Sequence, residues 1–237
     1  FLACLATAAI AGTGQVFDIY MNLYFWEFSS RDIRWFALAA VGAAAAFVAI
    51  GPLQKRFEKQ QMIIVAAILI MVLGMIKVGF RFAGIWPENG SPLLLPLLVV
   101  HASFLSFAGA IAIIMYASMI PDVVDENEFN TGLRQEGVFS AGIAFAGKST
   151  TGLGLFAGGL LLEWVVAFPV QTNPDTLDPD IIVRLGFVDG ILVPAFSIIP
   201  IMLLRRYRLS RAQLEAVQKT IKNRKKGTEN SAPNYDA

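Results

Sequence analysis

Lys148 interrupts the stretch Gly137–Leu162, which is otherwise free of charge and rich in Gly, Ala and Ser. An ammonium group facing acyl chains is costly, so a lysine in such a run is expected to look onto a polar pathway. Ser140, Ala144, Lys148 and Thr151 follow at steps of four, four and three and share one helical face, with Phe139, Ile143 and Phe156 off it. Lys148 lies about 14 to 18 Å from the basic end of its span at about 1.5 Å per residue, too deep for easy snorkelling. The chemistry expected of it is electrostatic: a positive charge offered to a solute or to a carboxylate network. The alternative is a lysine held by a backbone carbonyl or a buried carboxylate that merely locks two helices.

A second polar stripe lies in the first apolar block, where Gln15, Asp18 and Asn22, with Thr7 further back, recur at three- and four-residue spacing. This face is too polar to meet lipid. It is expected to line a substrate cavity or to contribute an ionisable carboxylate, with Asp18 a partner for Lys148 across the bundle. An interhelical hydrogen-bond cluster is the competing reading. His101, the only histidine, suits either a proton relay or a neutral ring satisfied by a neighbouring carbonyl. Lys77, Arg81, Glu163 and Asp189 fall nearer the span ends, where water is in reach, and carry no expected role beyond topology or external gating.

A third group of charges follows the fourth apolar block. Asp122, Asp125 and Glu128 precede Arg134 and Glu136, and Gly132 permits a tight reversal. The spacing fits neither an EF-hand nor a zinc site, so no metal and no cofactor are expected. Ion pairs with Lys55, Arg56 and Lys59, broken when the bundle rocks, are a better use of these carboxylates; the alternative is a hydrated loop.

The elements that must position these groups are membrane spans. The chain is 56% hydrophobic and 16% charged, a balance foreign to a soluble domain. Six blocks, near 1–26, 35–54, 62–82, 92–120, 138–165 and 185–204, are long enough to cross a hydrocarbon core. Polar, Pro- or Gly-bearing connections separate them, from Glu27 to Arg34, Lys55 to Gln61, Pro87 to Pro92, Pro121 to Glu136 and Gln171 to Arg184. Clusters such as Gly42 to Ala46 and Gly152 to Gly159 let helices approach closely. The six spans predict a bundle over residues 1–208 and a basic amphipathic tail over 209–237, with Ser210 as a helix cap and Leu214, Val217 and Ile221 in one stripe.

Lys55, Arg56, Lys59, Arg134, Arg205, Arg206, Arg208 and Arg211 fall on one side and the sparser Arg31, Arg34, Arg81 and Arg184 on the other. The richer side is expected to be cytoplasmic, which places all four tryptophans at the external interface and both chain ends in the cytoplasm of a plasma, or inner, membrane. The run Lys222 to Lys226 suits an anionic membrane surface or a solvated tail. Single Cys4 excludes an internal disulfide, and Phe1 opens inside an apolar block with no signal-peptide pattern, as expected of a chain truncated at its N-terminus.

The run Asp122-x-x-Asp125-x-x-Glu128-x-x-Thr131-Gly132-x-Arg134-x-Glu136-Gly137, followed by Ser140, Phe145 and Lys148, resembles the signature of the glycoside/pentoside/hexuronide:cation symporters, the melibiose-permease-like branch of the major facilitator superfamily. Arg206-Tyr207-Arg208-Leu209-Ser210 resembles the end of that family's last span. The resemblance implies an all-α membrane protein, the second six-helix bundle of a twelve-span transporter whose substrate site lies between two halves. It implies that Lys148 is the intramembrane lysine tied to coupling, and that Asp122, Asp125, Glu128, Arg134 and Glu136 belong to an inner gate. The coupling cation, Na⁺ or H⁺, is expected chiefly in the missing N-terminal half. Ala144 departs from the threonine that some sugar-transporting relatives carry there.

The function expected is therefore cation-coupled symport of a small polar solute, of the sugar or glycoside class, by alternating access. Lys148, Asp18, Gln15, Asn22, Ser140 and Thr151 would serve substrate and coupling. Asp122, Asp125, Glu128, Arg134, Glu136, Lys55 and Arg56 would form the cytoplasmic gate. The expected partners are the solute, the missing half and the lipid bilayer, with no nucleic acid. The alternatives are a noncatalytic membrane scaffold and an intramembrane lipid-modifying enzyme using His101 with Asp18 or Asp122.

Overall fold

The starts of three spans, at Ser30, Lys59 and Pro179, follow local capping chemistry. The computed structural model describes residues 2–169, 177–206 and 211–229. Among them six helices are long and apolar enough to cross a membrane: α1 (Leu2–Phe25), α2 (Ser30–Arg56), α3 (Lys59–Phe82), α4 (Leu94–Thr131), α5 (Glu136–Val166) and α6 (Pro179–Leu204). A seventh, polar helix, α7 (Arg211–Glu229), follows. The protein is thus an all-α, multi-pass membrane protein, as its apolar blocks predict.

Ser29 opens α2 by donating its N–H and Oγ–H to the Asp32 carboxylate at 3.0 and 2.6 Å, so the helix begins ahead of the apolar block at 35. Glu58 and Gln61 cap α3 in the same way, with the Glu58 N–H 3.1 Å from Oε1 of Gln61. Asp178 caps α6 through the Asp180 N–H, with Pro179 at the first helical position. The sixth span therefore starts about six residues before the apolar block does.

The largest departure from the sequence reading concerns Pro121 to Glu136, expected as a loop. Helix α4 continues through Pro121 to Thr131 and stops where Gly132 takes a left-handed conformation, φ 75°. Its 38 residues make a rod of about 57 Å, well beyond the roughly 30 Å of hydrocarbon. The carboxylates Asp122, Asp125 and Glu128 consequently sit on a rigid helical extension rather than on a flexible loop.

Helix contacts in lipid are made by fit, because apolar surface gains little by leaving acyl chains for a neighbouring helix. A Cβ at Gly154 of α5 would collide with the Ala9 carbonyl of α1, and one at Gly158 with Thr13 and Val16. The Thr13 hydroxyl donates to the Gly154 carbonyl at 3.0 Å. Partners rise together in sequence, so α1 and α5 run parallel. Helix α2 seats Gly42 against the Ser103 carbonyl of α4.

Two buried clusters hold the bundle. Near the tryptophans, Phe17, Met21 and Phe25 of α1 meet Val78, Leu94, Leu98, Leu185 and Val188. Toward the basic end, Ala46 and Ile50 of α2 meet Met62, Ile63 and Ala66 of α3, Ile111 and Met115 of α4, and Leu204. Helix α7 packs along the extension of α4, with Ile221 buried and Leu214 and Val217 half-buried. The proposed cap Ser210 and the boundary at 208 lie outside the described residues.

Candidate functional site

Three polar features stand out from this apolar frame. The first is an open ridge along α1 and α5. Lys148 and Ser140 on α5 and Gln15 and Asp18 on α1 are exposed, while Asn22 and Thr151 are half-buried. At about 100° per residue in two parallel helices, Gln15, Asn22 and Lys148 all point to the side opposite the buried face of Phe17 and Met21. Asn22 donates to the Asp18 backbone carbonyl at 2.7 Å and Thr151 to the Gly147 carbonyl at 2.9 Å. Lys148 makes no ion pair or hydrogen bond among the described residues, so the helix-locking alternative for it is not formed.

Nor is the pairing of Asp18 with Lys148. Ala9 lies level with Gly154, which sets Asp18 nine residues toward the tryptophan end and Lys148 six residues toward the basic end. The two are separated by about 22 Å along the bundle at about 1.5 Å per residue, far too distant for direct contact.

Nζ of Lys77 on α3 donates to Oδ2 of Asp189 on α6 at 3.0 Å, with side chains 20% and 8% exposed. This second feature corrects the expectation that both groups reach water at the span ends. The early start at Pro179 buries Asp189 ten residues into its helix. A π-helical turn over Val188–Leu192 and the close approach of Gly190 to Val78 carry it onto Lys77. Charges of opposite sign in two apolar blocks were the available sequence signal, masked by a late estimate of where the sixth span begins.

Nearby groups are spoken for. Trp86 Nε1 donates to the Lys77 carbonyl at 2.7 Å, and Arg81 donates to the Pro87 carbonyl and to Oδ1 of Asn89. Nε2 of His101 lies 2.9 Å from the Leu73 carbonyl. A carbonyl only accepts, so that nitrogen carries the proton, which matches the carbonyl-satisfied alternative. His101 and Asp122 stand 21 residues apart on one helix, about 31 Å, so they do not meet as an acid/base pair.

The third feature is the charge lattice at the basic end. Lys59 Nζ bonds Oδ2 of Asp122 at 2.6 Å and the Ser118 carbonyl at 2.9 Å. Arg134 spans Asp125, Glu128 and Glu136 at 3.5, 3.1 and 3.1 Å. Glu128 and Glu136 hold its guanidinium pKa above the ordinary arginine value. From α7, Gln218 donates to Oδ2 of Asp125 at 2.8 Å. Lys55 and Arg56, expected to share this network, are exposed and form no ion pair among the described residues; Lys59 and Arg134 take the carboxylates instead, because they sit where α3 begins and where α4 ends. Among the described residues no group of three or more His, Cys, Asp or Glu side chains converges as a metal site.

Comparison with known proteins places this arrangement. The chain is 39% identical over 101 residues, 41% of its length, to an uncharacterized symporter of Synechocystis sp.. It is 26% identical over 160 residues, 66% of its length, to a putative sulfoquinovose importer of Salmonella typhimurium. These matches span only 18% and 32% of those relatives' own lengths. The family model described as MFS/sugar transport protein matches residues 1–211. A family of transporters rather than enzymes, six membrane-crossing helices, and an intramembrane lysine on an open ridge agree, and the chain belongs to the MFS/sugar transport proteins of the major facilitator superfamily.

Proposed function

We propose that this chain forms one six-helix half of a secondary transporter that moves a small polar solute of the sugar class together with Na⁺ or H⁺ by alternating access. The observation that carries the reading is the exposed Lys148, unpaired among the described residues, on the same side of the α1–α5 ridge as Gln15 and Asn22. A lysine facing lipid there would be penalised, whereas one facing a wet cleft beside a second bundle is not. Substrate hydroxyls would meet Gln15, Asn22, Ser140 and Thr151, and Lys148 would balance a carboxylate network contributed by the other half. The coupling cation would hold its main site in that half.

The basic end, with Lys55, Arg56, Lys59, Arg134, Arg205 and Arg206, would face the cytoplasm of a plasma membrane, leaving both chain ends inside. There the Lys59–Asp122 and Arg134 ion pairs would close the inner gate and part when the cleft opens inward. The partners on this reading are the solute, the second bundle and the bilayer.

The test is solute-driven cation flux by the complete transporter in liposomes, with sulfoquinovose as the first probe and a panel of neutral sugars beside it. Flux that needs a cation gradient and is lost in Lys148→Ala supports the reading. Uptake by Lys148→Ala that stays cation-dependent removes the lysine from coupling, and a wild-type protein that moves no solute favours a noncatalytic scaffold.

A further inference from the structure

We infer that Tyr116 of α4, with Thr7 of α1, is a solute-contacting pair set across the cleft from Lys148, which rests on the transport reading above and deepens it by naming where this half reads a hydroxyl group. Tyr116 stands alone in an apolar stretch of α4, and only the fold brings it to the site.

Heights along the ridge follow from the contact of Gly154 with the Ala9 carbonyl. In parallel helices Lys148 lies six residues toward the basic end from that level, Cys4 five and Thr7 two. Cys4 is thus within about 1.5 Å, and Thr7 within about 6 Å, of the height of Lys148. Rotation about α1 is set in the same way. At about 100° per residue Cys4 falls about 20° from Gln15, on the open side of the helix. Gly12 and Ala9, which meet α5, lie about 60° and 120° to one hand, and Thr7 about 80° to the other. On the Thr7 side stands α4, where the Tyr116 hydroxyl lies 3.1 Å from Oγ1 of Thr7. Both side chains are half-buried, and Ile113 and Ala117, on the next strip of α4, are exposed. Helix α1 therefore forms the floor of a trough whose walls are α5 with Lys148 and α4 with Tyr116.

Hydrogen bonds fix the polarity of the α4 wall. A threonine has one hydroxyl hydrogen, and that of Thr7 goes to the Ala3 carbonyl at 2.9 Å. The Tyr116 O–H is then the donor in the 3.1 Å contact, and both oxygens are left with lone pairs only. Such a pair accepts a hydrogen and has none to give, whereas Lys148 gives hydrogens and accepts none. The trough suits a solute with hydroxyl hydrogens on one edge and an oxygen, neutral or anionic, on the other, as a sugar lying across α1 presents. A bond that merely tied α1 to α4 would be indifferent to the solute.

Cys4, half-buried on the floor between the walls, supplies the reporter. Its alkylation by N-ethylmaleimide, followed by mass spectrometry in the complete transporter in liposomes, is expected to slow when sulfoquinovose or one of a panel of neutral hexoses is present. In Tyr116→Phe that protection should be lost at the same sugar concentration. KM for uptake should rise about tenfold, the worth of one hydrogen bond, with the maximal rate close to wild type. Thr7→Ser keeps the acceptor pair and should keep both protection and KM. Protection and KM unchanged in Tyr116→Phe, whatever its Tm, mark the bond as a helix tie and overturn the inference. So does a Cys4 that reacts at the same rate with and without every sugar. Protection that is lost in Tyr116→Phe, in a protein that carries none of these sugars under any cation gradient, leaves the binding pair standing and removes the transport reading instead.

Discussion

Lys77 and Asp189 meet at 3.0 Å across the seam between α3 and α6, the only described ion pair that lies within the membrane-crossing part of the bundle. Neither residue is near the other in sequence. Their meeting depends on a π-turn that lets α6 advance onto α3 and on Gly190, where any side chain would strike Val78. Removing one member leaves the other charged and buried, which is far worse than removing both.

Lys77→Met or Asp189→Leu alone should therefore destabilise the bundle by about 3–5 kcal/mol, and the double variant should recover to within about 1 kcal/mol of the wild type. Unfolding in mild detergent measures all four corners of the cycle. A double variant as unstable as the sum of the singles would mean that the pair does not act as a unit.

The α1–α5 contact makes a sharper steric claim. Gly154→Ala drives a methyl into the Ala9 carbonyl, whereas Gly152→Ala points into open space. The first should lose about 1–3 kcal/mol as the helices are pushed apart. The second should stay within about 0.5 kcal/mol of wild type. Thermal unfolding of the two proteins side by side distinguishes them, and equal midpoints would refute the contact.

Lys148 makes no ion pair or hydrogen bond among the described residues, so its loss should separate function from folding. Lys148→Ala should keep the unfolding free energy within about 0.5 kcal/mol of wild type while cation-driven uptake falls at least tenfold, about 1.4 kcal/mol in the coupled step. A large loss of stability would show that the side chain is a packing element rather than a cleft group.

At the basic end, Arg134, in the connection between α4 and α5, holds three carboxylates from those two helices. Lysine keeps the charge but not the planar fork that spans them. Arg134→Lys should raise the labelling rate of a cysteine placed in the cleft near Ser140 by a membrane-impermeant reagent added from that end, and Arg134→Gln should raise it further. High salt should narrow the difference, since the Arg134 side chain is 48% exposed. Labelling rates unaffected by either substitution would remove Arg134 from the gate.

Much of this protein is written in its chain order. Six apolar blocks of membrane-crossing length, too long and too uncharged to be anything but spans, dictate an all-α bundle, because only helices close their backbone hydrogen bonds within one segment in lipid. Periodicity alone puts Gln15, Asp18 and Asn22 on one stripe and isolates Lys148. The carboxylate run from Asp122 to Glu136 is equally visible, with its arginine beside it.

What periodicity lacks is relative height and rotation between helices, which only packing supplies. Gly154 against Ala9 fixes the register of α5 on α1, and that register sets Asp18 and Lys148 at opposite depths, cancelling a pairing that charge alone suggests. Capping at Asp178 and Pro179 lengthens α6 ahead of its apolar block, so Asp189 becomes a buried partner of Lys77 rather than a wet residue at a span end. Helix continuation through Pro121 turns an expected loop into a rod and gives its carboxylates to Lys59 and Arg134, leaving Lys55 and Arg56 in solvent. Types and stripes are local properties of a chain; which charge meets which is decided by close contacts between glycines and backbone carbonyls on distant segments.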